Sequence, residues 1–247
     1  MRTSAHQTST PLVCELHSHT TFSDGEMALA ELVDLHGRHG VDVLCVTDHV
    51  VRGADPCGPM VDEHTHPRYL AAIEIEAERA LRAYGMILIP GLELTYSDPD
   101  PDRSAHALAI GLHEFVPVDD GPRAAMRAAR ARGAAIVAAH PHAGELDAVP
   151  QRTTRAFWAD PDRMRTLVDR YEVLNRSDVF PWIAGERLPA VAAGDVHLAE
   201  HVWSWKTVLP CDRSPEAVVE YLRSERPAFI TRLDPRLQAV PAMAGAA

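Results

Sequence analysis

Short apolar runs alternate along this chain with amphipathic stretches, and several of the runs end in a histidine or an acid. The runs LVCELH (12–17), VDVLCVTDH (41–49), MILIPGLELT (86–95), HALAIGL (106–112), AAIVAAH (134–140), YEVLN (171–175), AVAAGD (190–195) and AFIT (228–231) predict strands. Between them, apolar positions recur at helical spacing. Leu29, Leu32, Val33, Leu35 and His36 trace one face of a helix over Met27–His39. Further helices are predicted over Tyr69–Tyr84, Arg123–Arg132, Pro161–Val168, Pro181–Leu188 and Pro215–Ser224.

Strands alternating with helices imply βα units and a parallel α/β sheet. Seven or so units in one domain predict a closed or nearly closed barrel. Residues 12–233 are expected to form that single domain, with residues 1–11 and 234–247 as flexible ends. The irregular stretches Val51–Arg68, Tyr96–Ala105 and Pro141–Asp160 follow strands and are expected to line the barrel mouth, where such folds carry function.

Those strand ends collect six histidines and three carboxylates: His17, His19, Asp24, His49, Glu93, His106, His140, Asp195 and His197. Imidazole nitrogen and carboxylate oxygen are the donors that borderline and hard divalent metals take. His17 and His19, two apart, face the same side of a strand and can chelate one ion. Ser23-Asp24-Gly25 just downstream is a turn able to fold a carboxylate back. Asp48 and His49 repeat the arrangement, one as ligand and the other as a supporting or capping group. Glu93 lies inside an otherwise apolar run, where a charge costs several kcal/mol unless paired or metal-bound. If two ions sit close together this carboxylate can bridge them, and it is the first catalytic candidate. Lys206 is the sole lysine and lies late in the chain, so no mid-chain lysine is available to bridge instead. His106 and His140 stand at strand mouths, and Asp195 and His197 repeat the two-apart spacing. His142 is a weaker candidate. His6, His36, His39, His113 and His201 read as solvated or structural. His64 and His66 are candidates for substrate contact or proton transfer from a loop near the mouth.

Charge and cysteine usage narrow the function further. A net charge of −11 excludes a broad basic footprint for long DNA or RNA. It leaves room for a small phosphate ester or a nucleotide, because bound cations reverse the local field. No stretch approaches the ~20 apolar residues of a membrane span, and the N-terminus lacks a signal-peptide core, so the cytoplasm is the expected compartment. The four cysteines form no CxxC pair and predict no disulfide framework.

Taken in order, LHSHTTFSDG, VTDH, GLELT, the His106 strand, AAHPH and GDVH resemble the PHP (polymerase and histidinol phosphatase) family, over about residues 12–233. The resemblance implies a distorted (β/α)7 TIM-like barrel carrying two or three divalent ions of manganese, iron or zinc. It implies one ion on His17, His19, Glu93 and Asp195, a second on Glu93, His106 and His140, and a third on Asp24, His49 and His197. The activity it implies is phosphoester hydrolysis. The leading expectation is a phosphomonoesterase in which a hydroxide held between two ions attacks phosphorus in line. Arg152, Arg155 and Arg176 are the candidates for gripping the phosphate. The alternatives are a phosphodiesterase or nuclease on nucleotides or short oligonucleotides, a histidinol-phosphatase-like enzyme, and a metal-binding regulatory domain without turnover.

Overall fold

The protein is described by a computed structural model over residues 10–53, 55, 58–143 and 154–236. Its strands are β1 (Leu12–Glu15), β2 (Val43–Val46), β3 (His49–Val51), β4 (Ile87–Tyr96), β5 (Ala105–Ile110), β6 (Ala135–Ala138), β7 (Arg170–Asn175), β8 (Asp178–Val179), β9 (Ala190–Ala193), β10 (Trp205–Leu209) and β11 (Phe229–Arg232). Its helices are α1 (Leu29–Arg38), α2 (His66–Tyr84), α3 (Pro122–Ala131), α4 (Ala156–Ala159), α5 (Pro161–Met164), α6 (Pro181–Gly185) and α7 (Pro215–Arg223).

The helices start and stop for local reasons. On α1, Leu29, Leu32, Val33 and His36 are buried, the face expected from their spacing, and Glu31 accepts from Ala28 N at 2.9 Å. α2 begins earlier than its apolar pattern suggests, because Asp62 Oδ1 accepts from His64 N and Thr65 N at 2.9 and 2.7 Å. It ends at Gly85, whose φ of 65° suits a residue without a Cβ. Ser214 caps α7 by accepting from Ala217 N at 3.1 Å. None of these helices is long and apolar enough to cross a membrane.

Nine strands run in the order β11-β10-β1-β2-β4-β5-β6-β7-β8, with β3 beside β4 and β9 beside β7. The sheet is mixed and curled into a half-barrel: the α/β, TIM-like architecture is as expected, but the sheet is not wholly parallel and does not close into a (β/α)7 barrel. β1, β2 and β4 are parallel, as are β6, β7 and β9. β5 runs antiparallel to both β4 and β6. The reason is its connection: residues 97–104 hold only a short 3-10 turn, Pro101–Arg103, too few for a parallel crossover. β10 and β11 extend the sheet antiparallel from β1. The β10 sequence, WKTVL, carries no alternation to announce it because its buried position 206 is a lysine.

Two apolar layers hold this sheet. Leu32, Val33, Tyr69, Ile73, Met126 and Phe157 form one layer with the helices. Cys14, Cys45, Ile89, Leu108, Val137 and Val191 form the other, joined by Val218, Tyr221 and Leu222 of α7. Each such side chain, fully buried, contributes about 1.5–3 kcal/mol. Arg170, at the start of β7, donates to the carbonyls of Tyr221, Leu222, Ser224 and Arg226, which fixes α7 at that end of the strands. The other end is left open for polar side chains. Cys14 and Cys45 are fully buried within the layer that α7 joins.

Candidate metal centre

At that open end all nine expected side chains come together, and Glu93 stands at their middle. Glu93 Oε2 lies 3.2 Å from His17 Nε2, 3.4 Å from His19 Nε2 and 3.0 Å from His49 Nδ1. Its Oε1 lies 3.2 Å from His106 Nδ1 and 3.3 Å from His140 Nε2. One carboxylate therefore meets five imidazoles, three on one oxygen and two on the other. Asp195 Oδ1 sits 3.4 Å from His17 Nε2, 3.4 Å from His19 Nε2 and 3.3 Å from His197 Nδ1. Asp24 Oδ1 approaches His49 Nε2 and His197 Nε2 at 3.4 and 3.3 Å.

The backbone explains the convergence. His49 and Glu93 are register partners in the β3–β4 pair, which forms because β2 breaks at Thr47-Asp48 and resumes at His49. The reversal of β5 matters most for His106: a strand that begins at the mouth must run antiparallel to strands that end there. Asp48 is the supporting member of its pair. It accepts from Thr20 N (2.8 Å), Thr20 Oγ1 (2.9 Å) and Ser23 Oγ (2.6 Å), tying down the turn that carries Asp24. Gly25 permits that turn, since a Cβ there would stand 2.4 Å from the His19 carbonyl oxygen. His140, Arg176 and Asp195 have φ of 31°, 54° and 47°, a left-handed conformation that costs of order 1–3 kcal/mol each and gathers at functional sites.

Four of the six imidazoles, His17, His19, His106 and His140, turn one nitrogen to the cluster and have the other held, while His49 and His197 share Nδ1 between a support and a carboxylate of the cluster. His17 Nδ1 faces Glu172 Oε1 at 2.9 Å, and His19 Nδ1 faces Ser23 Oγ at 3.4 Å. His106 Nε2 meets Ser97 Oγ at 3.2 Å, and His140 Nδ1 meets Thr154 Oγ1 at 3.4 Å. His197 Nδ1 lies 3.0 Å from the Asp195 carbonyl oxygen. His49 Nδ1 lies 2.7 Å from Thr95 Oγ1, leaving its Nε2 toward Asp24. This is how proteins fix the tautomer and aim of metal-binding histidines. The sequence pattern does not single out Glu172, Thr95, Ser97 or Thr154, and it marks Ser23 only as part of the Asp24 turn. Glu172 carries the signal that found Glu93, an acid inside an apolar strand, and Thr95 and Ser97 share the Glu93 face by strand alternation.

The electrostatics suit a cation. Burial alone would push Glu93 and Asp195 up, yet the surrounding imidazoles hold both carboxyls well below their ordinary range. Burial and the neighbouring His49 lower His19 to about 3, and burial lowers His106, leaving both rings neutral as metal binding requires. For His17 and His49 the carboxylates outweigh burial, and His49 rises to about 9. Glu93 Oε1, His19 Nε2 and His106 Nδ1 are buried polar atoms with no hydrogen-bond partner although they point into one space. Donors left this way at mutual distances above 3 Å fit a shared cation better than one another. Among the described residues three groups have their donor atoms within 4.8 Å of each other: His19, Asp24, His49 and His197; His17, Glu93 and His140; and His17, His19 and Asp195. Relative to the set implied by resemblance, His19 also joins the Asp24 group and His17 reaches the Glu93–His140 group.

The remaining candidates separate. Arg176 Nη2 donates to Asp195 Oδ2 at 2.6 Å and to the Asp195 carbonyl at 3.0 Å, so it borders the cluster. Arg155 is paired with Asp102 at 2.9 Å and touches none of the nine clustered side chains. Arg152 lies outside the described residues. His64 is exposed, and His66 is buried against Phe115 and Tyr69, with ring centroids 5.8 and 6.3 Å away. Neither has a contact with the cluster. His36 is fully buried, so it is structural rather than solvated.

A family model described as PHP domain matches residues 15–174, more than half of the chain. The chain belongs to the PHP domain family. Solved structures share its fold. A two-domain protein from Bacteroides vulgatus, containing a predicted PHP-like metal-dependent phosphoesterase, superposes with a TM-score of 0.68 at 23% identity. The match covers 92% of this chain and 66% of that one, so the PHP chain spans just under two thirds of that protein. PsfC from Pseudomonas syringae aligns with a TM-score of 0.59 at 17% identity, over 93% of this chain and 96% of that one. An amidohydrolase from Chromobacterium violaceum with bound sulfate gives 0.52 at 16%, over 91% and 99%. No curated protein matches the chain.

Proposed function

We propose that this PHP-family protein is a metal-dependent phosphoesterase acting on the phosphomonoester of a small molecule or nucleotide. The observation that carries the reading is the single buried Glu93 carboxylate, each of whose oxygens meets a different set of imidazoles. That is the shape of a bridging ligand between two or three divalent ions of the manganese, iron or zinc type. Bound there, such ions supply an acidified water and neutralise charge on a phosphoryl group.

The chain's own residues account for the rest. Glu93, His17, His19 and Asp195 form the buried floor, His106, His140, His49 and His197 are partly exposed around it, and Asp24 lies at the open rim. Arg176 spends one nitrogen on Asp195, while its buried Nε has no partner. A guanidinium so placed can hold a phosphate oxygen beside the cluster. The acidic surface is consistent with a small anionic substrate drawn in by the local field of a loaded site, rather than with a polyanion.

The test is phosphate release from protein stripped by a chelator and then reloaded with manganese or zinc. Activity on p-nitrophenyl phosphate or a panel of metabolite monoesters, absent before reloading, supports the proposal. Faster turnover of the bis-ester would shift the assignment to a phosphodiesterase. No release from any phosphoester by a folded, metal-loaded protein would leave a binding or regulatory domain.

A further inference from the structure

The sole lysine of the chain lies fully buried beneath this cluster. Lys206 Nζ is 2.7 Å from Glu15 Oε2 and 2.8 Å from Ser204 Oγ, and Glu15 is equally buried. A buried ion pair is weak evidence of stabilisation, since well-fitted apolar side chains hold such a place at least as well. Its location suggests another purpose.

Among the described residues β9 has no backbone ladder to β1 or β10, and polar side chains span that gap. At the lowest level Thr207 Oγ1 accepts from Ala192 N at 2.9 Å and donates to the Ala192 carbonyl at 2.7 Å. Two residues on, Glu15 Oε1 accepts from Gly194 N at 2.8 Å and from His17 N at 3.1 Å. Two residues beyond that, His19 N donates to Val196 O at 2.9 Å and Val196 N to His17 O at 3.1 Å. One carboxylate oxygen thus ties the residue before Asp195 to His17 itself. Gly194 is the residue that lets it in: a Cβ there would lie 2.5 Å from Glu15 Oε2 and 2.7 Å from Ser204 Oγ.

We propose that Glu15, held by Lys206, is a positioning residue that sets the spacing between the His17–His19 pair and the Asp195–His197 pair, and through it the affinity for metal. The inference rests on the metal-dependent reading above. Asp195 Oδ1 stands 3.4 Å from both His17 Nε2 and His19 Nε2, so a small shift across the seam breaks up a shared ligand set. Supports of this kind around a metal site are worth roughly 10–100-fold in affinity.

The experiment compares manganese and zinc affinity, by calorimetry on chelator-stripped protein, for the parent and two double variants. Glu15→Gln with Lys206→Met removes both charges but keeps an oxygen for the two N–H groups, and should bind within about threefold of the parent. Glu15→Leu with Lys206→Met removes the acceptor and should bind at least about tenfold more weakly while unfolding cooperatively. Should leucine not be accommodated, Glu15→Ala with Lys206→Met removes the same acceptor and should show the same loss. Parent-like affinity in an acceptor-free variant overturns the positioning role, as does an equal loss in both double variants. A parent chain that takes up no divalent metal overturns the metal-dependent reading itself, and this inference with it.

Discussion

The two ends of the ligand cluster differ in burial. At the inner end His17, His19 and Glu93 are fully buried, and the carboxylate is surrounded by five rings. At the outer end Asp24 has a side chain 53% exposed, with His49 and His197 partly open beside it. A charge–charge contact is far stronger in a dry interior than at a wet surface. The inner end is thus expected to bind metal tightly and slowly. The outer end is expected to exchange its ion readily and to meet the substrate. Preorganisation follows the same gradient, since Glu172 grips both His17 Nδ1 and the His140 backbone N, whereas Asp24 is carried on a turn.

The difference can be broken at several points. Glu93→Ala removes the carboxylate that meets five of the six imidazoles, and should lower kcat by about 10³-fold or more while releasing metal, as read by turnover and elemental analysis together. Glu172→Gln weakens the grip on His17 and should cost about 10–100-fold in metal affinity, measured by chelator competition. Asp24→Asn should cost one ion from the outer end alone and lower kcat more than it lowers inner-site affinity. Calorimetry should then show one fewer binding step. Arg176→Ala should raise KM by about 10–100-fold, the loss of a charge-assisted hydrogen bond of roughly 1.5–3 kcal/mol, with metal content unchanged. His64→Ala should stay within about twofold of the parent in both constants, since the residue touches none of the ligands.

Much of this site is legible in the sequence because metal ligands obey strand arithmetic. His17 and His19, Asp195 and His197, and the lone acid Glu93 in an apolar run follow from period-two alternation and the cost of burying charge. His106 shows where that arithmetic stops. Its place at the start of a strand fits the mouth only when β5 is antiparallel, and the apolar pattern of HALAIGL says nothing about direction. Strand direction is set by the length of the connection, which is why a parallel sheet is expected from the pattern and a curled mixed sheet of TIM-like architecture is found. Glu15 and Glu172 carry the same signal as Glu93, and their neighbours hide it: each sits beside a residue that is the more obvious feature, His17 or the strand end at Asn175. The partners that aim the imidazoles, such as Ser23 and Thr154, are ordinary polar residues whose role exists only in three dimensions.

The most direct test of the account is metal stoichiometry in the parent and in Glu93→Ala, both stripped and reloaded in parallel and analysed for bound ion and for folding. The account predicts two to three ions per parent chain and, in the folded variant, loss of the ions at the inner end together with turnover. A folded Glu93→Ala protein that keeps the full complement of metal would contradict it, because the carboxylate at the centre of the cluster would then hold nothing.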